Sequence, residues 1–213
     1  GTGWTIVDRD GVSMATDIVL LATPAPQTSA LLSTSAEPVA FAPLLAGVTM
    51  LPCWSSMIVF DGPPPTRVSD ALIGGELRTD NPLLHRAWRQ SARVGRSADE
   101  AWVVHSDGAW SAEHIEEDPA VIAAMVSEAL RSHLQTAGDT MYAVAHRWRY
   151  ARVQTGLDDA CVFDASRGIG ACGDWGAAGA TRRSHQSVER AWLSGVALAG
   201  RVLSAATSRS ASR

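Results

Sequence analysis

"RGIGACGDWGAAGAT", Arg167 to Thr181, is the stretch whose reading decides the fold. Gly168, Gly170 and Gly173 spell G-x-G-x-x-G, the glycine spacing of the dinucleotide-binding turn. Glu189 follows at roughly the distance where that fingerprint places a ribose-binding acid. The fingerprint works only between a strand and an immediate helix inside a βαβ unit. Here "DWGAAGATRRSHQ" follows the glycines, no helix begins in it, and no later strand is left to complete the unit. The spacing is therefore a coincidence, and the fold has to be read from what lies on either side.

On the C-terminal side a helix runs from about Val188 to Ala205. Ser187 is its expected N-cap, and Glu189 suits the positive first turn. Ala191, Gly195 and Ala199 make a small-residue face, and the last residues from 206 to 213 read as a disordered tail. On the N-terminal side "WTIVDRDG" is a strand ending in a hairpin signal. "DIVLLATPAP" carries a continuous apolar run from Ile18 to Ala22, as in a strand buried on both faces. Pro26 opens a short helix through Leu32, and a second short helix is expected from Val39 to Leu45.

The middle changes character. Val48–Phe60 reads as a long strand, "DGPPPTRVSD" as a loop, and "IGGELRT", "LLHRAWRQSA" and "AWVVHS" as three short strands. Asp118 caps a helix with Pro119 in its first turn, apolar residues recur at helical spacing from Val121 to Leu134, and Gly138 ends it. In "MYAVAHRWRYA", Tyr142, Val144, His146, Trp148 and Tyr150 share one face while Arg147 and Arg149 point the other way. The expected fold class is a mixture of α/β and α+β, with a mostly antiparallel sheet and one covering helix inserted into the rest. The boundaries fall at 1–46, 47–152 and 153–205, with the tail after them.

Composition limits the function. The chain has 213 residues, a net charge of −4 and near-zero mean hydropathy, so it reads as globular, without a basic field for nucleic acid. No apolar run is long enough to span a bilayer, and "GTGWTIVDRDG" holds no secretory leader. Cys53, Cys161 and Cys172 lie far apart in sequence, an odd count without CxxC. This argues against a disulfide framework and a zinc site and fits a reducing cytoplasm. The histidines have no metal-ligand spacing, so no metal is expected. There is no lysine, which removes Schiff-base chemistry and a P-loop, and no G-x-S-x-G elbow.

"DIVLLATPAPQTSALL", "PCWSSMIVF", "WVVHSDGAWSAEHIE", "HRWRYA" and "CGDW…VERAWLSG" occur in the order seen in the renalase-like group of FAD-dependent oxidoreductases, proteins with the p-hydroxybenzoate hydroxylase-like fold. The resemblance covers nearly the whole chain, yet only about the C-terminal two thirds of such a protein, because the N-terminal dinucleotide-binding βαβ is missing. The chain is accordingly read as a fragment, and the insertion-like "GAAGATRRSHQS" departs from the pattern. The resemblance implies a partial FAD-binding domain over 1–46 and 153–205 and a substrate-binding domain over 47–152. It implies cofactor contacts from Ala22, Thr23 and Pro24, from Gly173, Asp174 and Trp175, and from Val188, Glu189 and Arg190 at the start of the last helix.

The implied reaction takes a hydride from isomeric forms of reduced NAD(P), passes it to FAD and then to O2, and releases peroxide. The cofactor carries that chemistry, so the protein has to stack and orient a flat substrate. His146, Trp148 and Trp54 are the implied catalytic residues, with Arg147 or Arg149 facing either substrate phosphates or a salt bridge. The expected partner is a small molecule, a reduced nicotinamide dinucleotide or an amine. A flavin amine oxidase and a non-catalytic binding module that has lost FAD remain open beside this reading.

Overall fold

A computed structural model of the chain describes residues 3–62, 75–96, 99–135, 138–176 and 187–211. The chain divides into two compact units, 1–50 with 153–213 and 51–152. The expected loop after Phe60 lies outside the described residues from 63 onward, as does the insertion-like segment 177–186.

The first unit opens with a hairpin of β1 (Trp4–Val7) and β2 (Ser13–Thr16), paired Trp4 to Thr16 and Val7 to Ser13. Its turn closes on Asp8, whose carboxylate accepts from the amides of Asp10 and Val12, with Gly11 at φ 82°. β3 (Val19–Leu21) follows, then α1 (Ala25–Leu32) with Pro24 before it, and the single turn α2 (Ala42–Leu45). β3 is an edge strand of a three-stranded sheet in the order β3-β10-β9, and Ile18 and Leu20 are exposed. The expectation of a strand buried on both faces is corrected: among the described residues nothing covers that side. The core of this unit joins Ala25, Leu32, Val39, Phe41 and Leu45 to Val162, Ile169, Ala171 and Trp175.

The second unit is a five-stranded sheet in the order β5-β6-β7-β4-β8. Its strands are β4 (Thr49–Phe60), β5 (Glu76–Arg78), β6 (Arg86–Arg89), β7 (Glu100–His105) and β8 (Thr140–Thr155). The β5–β6, β6–β7 and β7–β4 pairs are antiparallel. Two helices lie between β7 and β8 in sequence. α3 (Gly108–Glu113) was missed in the sequence; Asp107 caps it, accepting from the amides of Ala109 and Trp110. α4 (Pro119–Leu134) begins as expected, with the Asp118 carboxylate accepting from the Ala120 amide at 2.7 Å. It ends earlier than Gly138, because Gln135 takes the left-handed capping conformation at φ 52°.

The helical spacing of Ile122, Ala123, Val126, Leu130 and Leu134 buries one stripe of α4 with Trp54, Ile58, Phe60, Trp102 and Val104. Each such large side chain contributes about 1.5–3 kcal/mol when withdrawn from water. One charge is admitted to this layer. Glu100 is buried, and Arg89 and the Trp102 indole N–H both donate to its carboxylate.

The chain returns to the first unit through β9 (Val162–Asp164) and β10 (Ile169–Ala171), then α5 (Ser187–Ala211). The stretch from 206, read as a disordered tail, instead continues this helix to Ala211. The three glycines of the opening motif have separate structural reasons. Gly168 turns β9 into β10 at φ +64°, where a Cβ would stand 2.3 Å from the Asp17 carbonyl. Gly170 lies under Leu198 of α5, and Gly173 under the Trp175 indole. A hairpin, not a strand-to-helix turn, carries the spacing.

Candidate functional site

β3 and β10 run parallel, in the register Val19 to Ile169 and Leu21 to Ala171, so their carboxyl ends lie side by side. The Cys172 amide adds one rung, donating to the Leu21 carbonyl at 3.0 Å. Beyond it both strands leave the sheet, one as Ala22–Thr23–Pro24 and the other as Gly173–Asp174–Trp175. The space past the carboxyl ends of parallel strands is where open α/β sheets bind ligands. The fold thus brings two of the three expected cofactor segments together. The tie is direct: the Trp175 indole N–H donates to the Thr23 carbonyl at 3.1 Å. The Thr28 hydroxyl donates to that same carbonyl at 3.1 Å and lies 2.8 Å from the Thr23 hydroxyl.

The third segment, the start of α5, is held to the second through Ser194. The Gly173 amide donates to its hydroxyl at 3.0 Å, and the hydroxyl donates to the Ala160 carbonyl at 2.6 Å. This places Arg190, one turn earlier on α5, near Asp174. Burial raises the Asp174 carboxyl above the usual carboxylate range, and the Arg190 guanidinium pulls it part of the way back. The Arg190 Nε is buried and has no hydrogen-bond partner among the described residues. Val188 and Glu189 are exposed in the same turn, and Glu189 adds an acidic group there. A half-buried carboxylate and a guanidinium N–H unpartnered among the described residues, beside a helix N-terminus, form a polar pair suited to the hydroxyls and ring-edge groups of a nucleotide cofactor.

Two expected contacts change meaning. On the side where a Cβ would project Gly173 is filled by its own neighbour, a Cβ there standing 2.3 Å from the Trp175 Nε1, while the residue stays half-buried. Trp175 itself is fully buried in the core of the first unit and offers no ring face. Ser194 and Thr28, which pin the site, were missed in the sequence. Their roles depend on the register between α5, α1 and the sheet, and no local pattern announces it.

In the second unit the expected catalytic residues divide. His146 and Trp148 are exposed neighbours on β8, with ring centroids 4.5 Å apart in an edge-to-face arrangement. Trp54 is fully buried on the face covered by the helices, with its indole N–H donating to the His114 carbonyl and the Arg147 guanidinium 5.7 Å above its ring. It does not share a surface with the other two. Arg147 and Arg149 both hold Glu116, so the salt-bridge reading applies to them. Trp88 and His105 form a further ring pair with centroids 4.8 Å apart. Among the described residues no group of His, Cys, Asp or Glu is placed to hold a metal ion. No helix there is long and apolar enough to cross a membrane.

No protein-family model matches the chain. Among solved structures it is similar to one described as "Putative protoporphyrinogen oxidase from Exiguobacterium sp. 255-15", with a TM-score of 0.57 and 14% identity. The match covers 82% of this chain and 39% of that one, so the chain spans well under half of its neighbour's length. A reduced UDP-galactopyranose mutase is matched at a TM-score of 0.45 and 16% identity, over 69% of this chain and 32% of that one. The likeness to the first is one of fold: a mixed α/β chain with antiparallel sheets.

Proposed function

We propose that the protein is an FAD-dependent oxidoreductase and that its first unit contributes part of the flavin site. The observation that carries this reading is the Asp174–Arg190 pair at the start of α5, beside the carboxyl ends of β3 and β10. The fold likeness to a protein described as an oxidase supports it. FAD, when bound, supplies the hydride and electron chemistry. The residues here have the positioning role. Asp174 accepts from a cofactor hydroxyl, and Arg190 offers its Nε–H. The first amides of α5 favour negative charge at its N-terminus. Thr23 and Pro24 shape the opposite wall, with the Thr23 carbonyl already engaged by Trp175 and Thr28.

The narrower reading is renalase-like. The substrate is an isomeric dihydro-NAD(P), and the products are ordinary NAD(P)+ and peroxide. The exposed His146–Trp148 pair is the surface suited to a flat ring. On this reading the protein acts in the cytoplasm on a small molecule, and not on nucleic acid or membrane. An amine as substrate is the second reading; it shares the cofactor site and differs in what donates the hydride.

The test is the protein purified from its full reading frame. A reducible flavin absorption should accompany it, and Asp174→Ala or Arg190→Ala should lower flavin occupancy several-fold in a folded protein. A colourless preparation that leaves added FAD fluorescence unquenched removes the proposal. Peroxide release with reduced nicotinamide isomers, compared with amines, then separates the two substrate readings.

A further inference from the structure

β9 and β10 pair antiparallel, Asp164 to Ile169, Phe163 to Gly170 and Val162 to Ala171. The next step of that register sets Cys161 opposite Cys172. One step further, the Gly173 amide and the Ala160 carbonyl are bridged by the Ser194 hydroxyl, which keeps the two strands side by side past the cysteine pair. The faces agree as well. A Cβ on Gly170 would meet Leu198 and Phe163, which places Gly170 and Phe163 on the face covered by α5. Two residues along each strand, Cys172 and Cys161 share that face. Both pack there with Leu198, and both are free thiols. Opposed residues of an antiparallel pair have Cα atoms about 4.5–5.5 Å apart, within the range of roughly 4.4–6.8 Å that a disulfide spans.

We propose that Cys161 and Cys172 are a redox pair that closes to a cross-strand disulfide when the protein meets hydrogen peroxide. Cys172 keeps 8% of its surface open while Cys161 keeps none, so Cys172 is the sulfur that peroxide reaches. Its thiolate attacks one peroxide oxygen, the O–O bond breaks, and a sulfenic acid and one water result once a proton is taken up. The Cys161 sulfur then attacks the sulfenic sulfur, the S–O bond breaks, and a second water leaves with the Cys161 proton. In total two thiols lose two hydrogens and two electrons, and one hydrogen peroxide becomes two waters. Burial raises both thiols, and at Cys161 the Arg201 charge offsets this in part while Asp159 adds to it. The pair therefore reacts slowly, as a response to sustained oxidant, and the link draws together the two strands at the base of the Gly173–Asp174 turn. The inference does not rest on the flavin reading, since the oxidant is supplied from outside.

The intact protein, treated with hydrogen peroxide and then unfolded, should show one titratable thiol where the reduced protein shows three. Trypsin cuts at Arg167 between the two cysteines, so the peptides Val153–Arg167 and Gly168–Arg182 should be recovered joined, and dithiothreitol should separate them. Cys161→Ser and Cys172→Ser should each abolish the joined species. Three thiols surviving treatment, sulfinic or sulfonic acids on unjoined peptides, or linkage through Cys53 would each overturn the proposal. The measurement on the unsubstituted chain stands even if a variant folds poorly, and a colourless, flavin-free protein leaves it unaffected.

Discussion

Gly173 is a glycine because of its own neighbour: the Trp175 indole stands where a Cβ would project. Gly173→Ala forces that ring out of the core, or the turn out of its path, at a cost of roughly 1–3 kcal/mol. Denaturant unfolding should show the loss, and an unchanged midpoint would mean that the turn relaxes freely. Asp174 carries the opposite balance. Burial raises its carboxyl, so the folded state holds its proton more tightly than the unfolded chain does. Its ionised form is a burden that grows as pH rises from the ordinary carboxylate range through the raised value. Asp174→Asn should therefore be more stable than the parent at neutral pH, with the difference fading in acid, even as flavin retention falls. Cys53 sets a limit at the alkaline end. Burial lifts its thiol to about 11, with Arg152 opposing. Stability should fall as pH rises from the ordinary thiol value through that figure, and Cys53→Ala should flatten the fall. None of these environments was legible in the residues alone. "CGDW" marks the turn after β10, but which side chain fills the space over Gly173 is a matter of tertiary packing.

At the scale of elements, capping chemistry and periodicity were the readable signals. Asp118 and Pro119 mark the start of α4, and the stripe from Ile122 to Leu134 marks its buried face. Asp118→Ala removes the acceptor for the Ala120 amide and should cost about 1 kcal/mol, read as a lower unfolding midpoint. A neutral result would mean that water replaces the cap without loss. β8 also reads directly, because strict alternation separates His146 and Trp148 from Arg147 and Arg149. Where elements were misjudged, the competing physics is identifiable. Val19–Leu21 is as apolar as a central strand and yet lies at an edge, because position within a sheet is a long-range property. The short α3 was hidden because Asp-Gly, a turn signal elsewhere in the chain, here supplies a cap. The pairing of Cys161 with Cys172 was invisible for a related reason: a separation in sequence turns into proximity only once the hairpin register is known.

For the whole molecule, the two units keep separate cores, one layering α4 on an antiparallel sheet and the other gathering α1, α2 and a parallel strand pair. In the sequence the residue pattern changes after residues 46 and 152, and the compact units divide after 50 and 152. What the sequence could not disclose is that the Arg190 Nε, at the candidate site, is left buried without a hydrogen-bond partner among the described residues. Absence of lysine acts at this scale too. With no lysine in the sequence, no side chain offers the primary amine that a Schiff base needs. Borohydride added during turnover with any carbonyl substrate should leave every side chain in this sequence without a reduced adduct. A reduced adduct would exclude the proposed hydride chemistry as the sole reaction.

The Ser194 hydroxyl, seated between the Ala160 carbonyl and the Gly173 amide, makes a helix side chain into a rung of the sheet. Sliding α5 by even one residue would strand a backbone donor and a backbone acceptor at once, so the helix has a single allowed seat. The Gly173 amide is consequently a gauge of that seating. Its hydrogen exchange should be slow while α5 is docked, and it should quicken in Ser194→Ala before the neighbouring strands loosen.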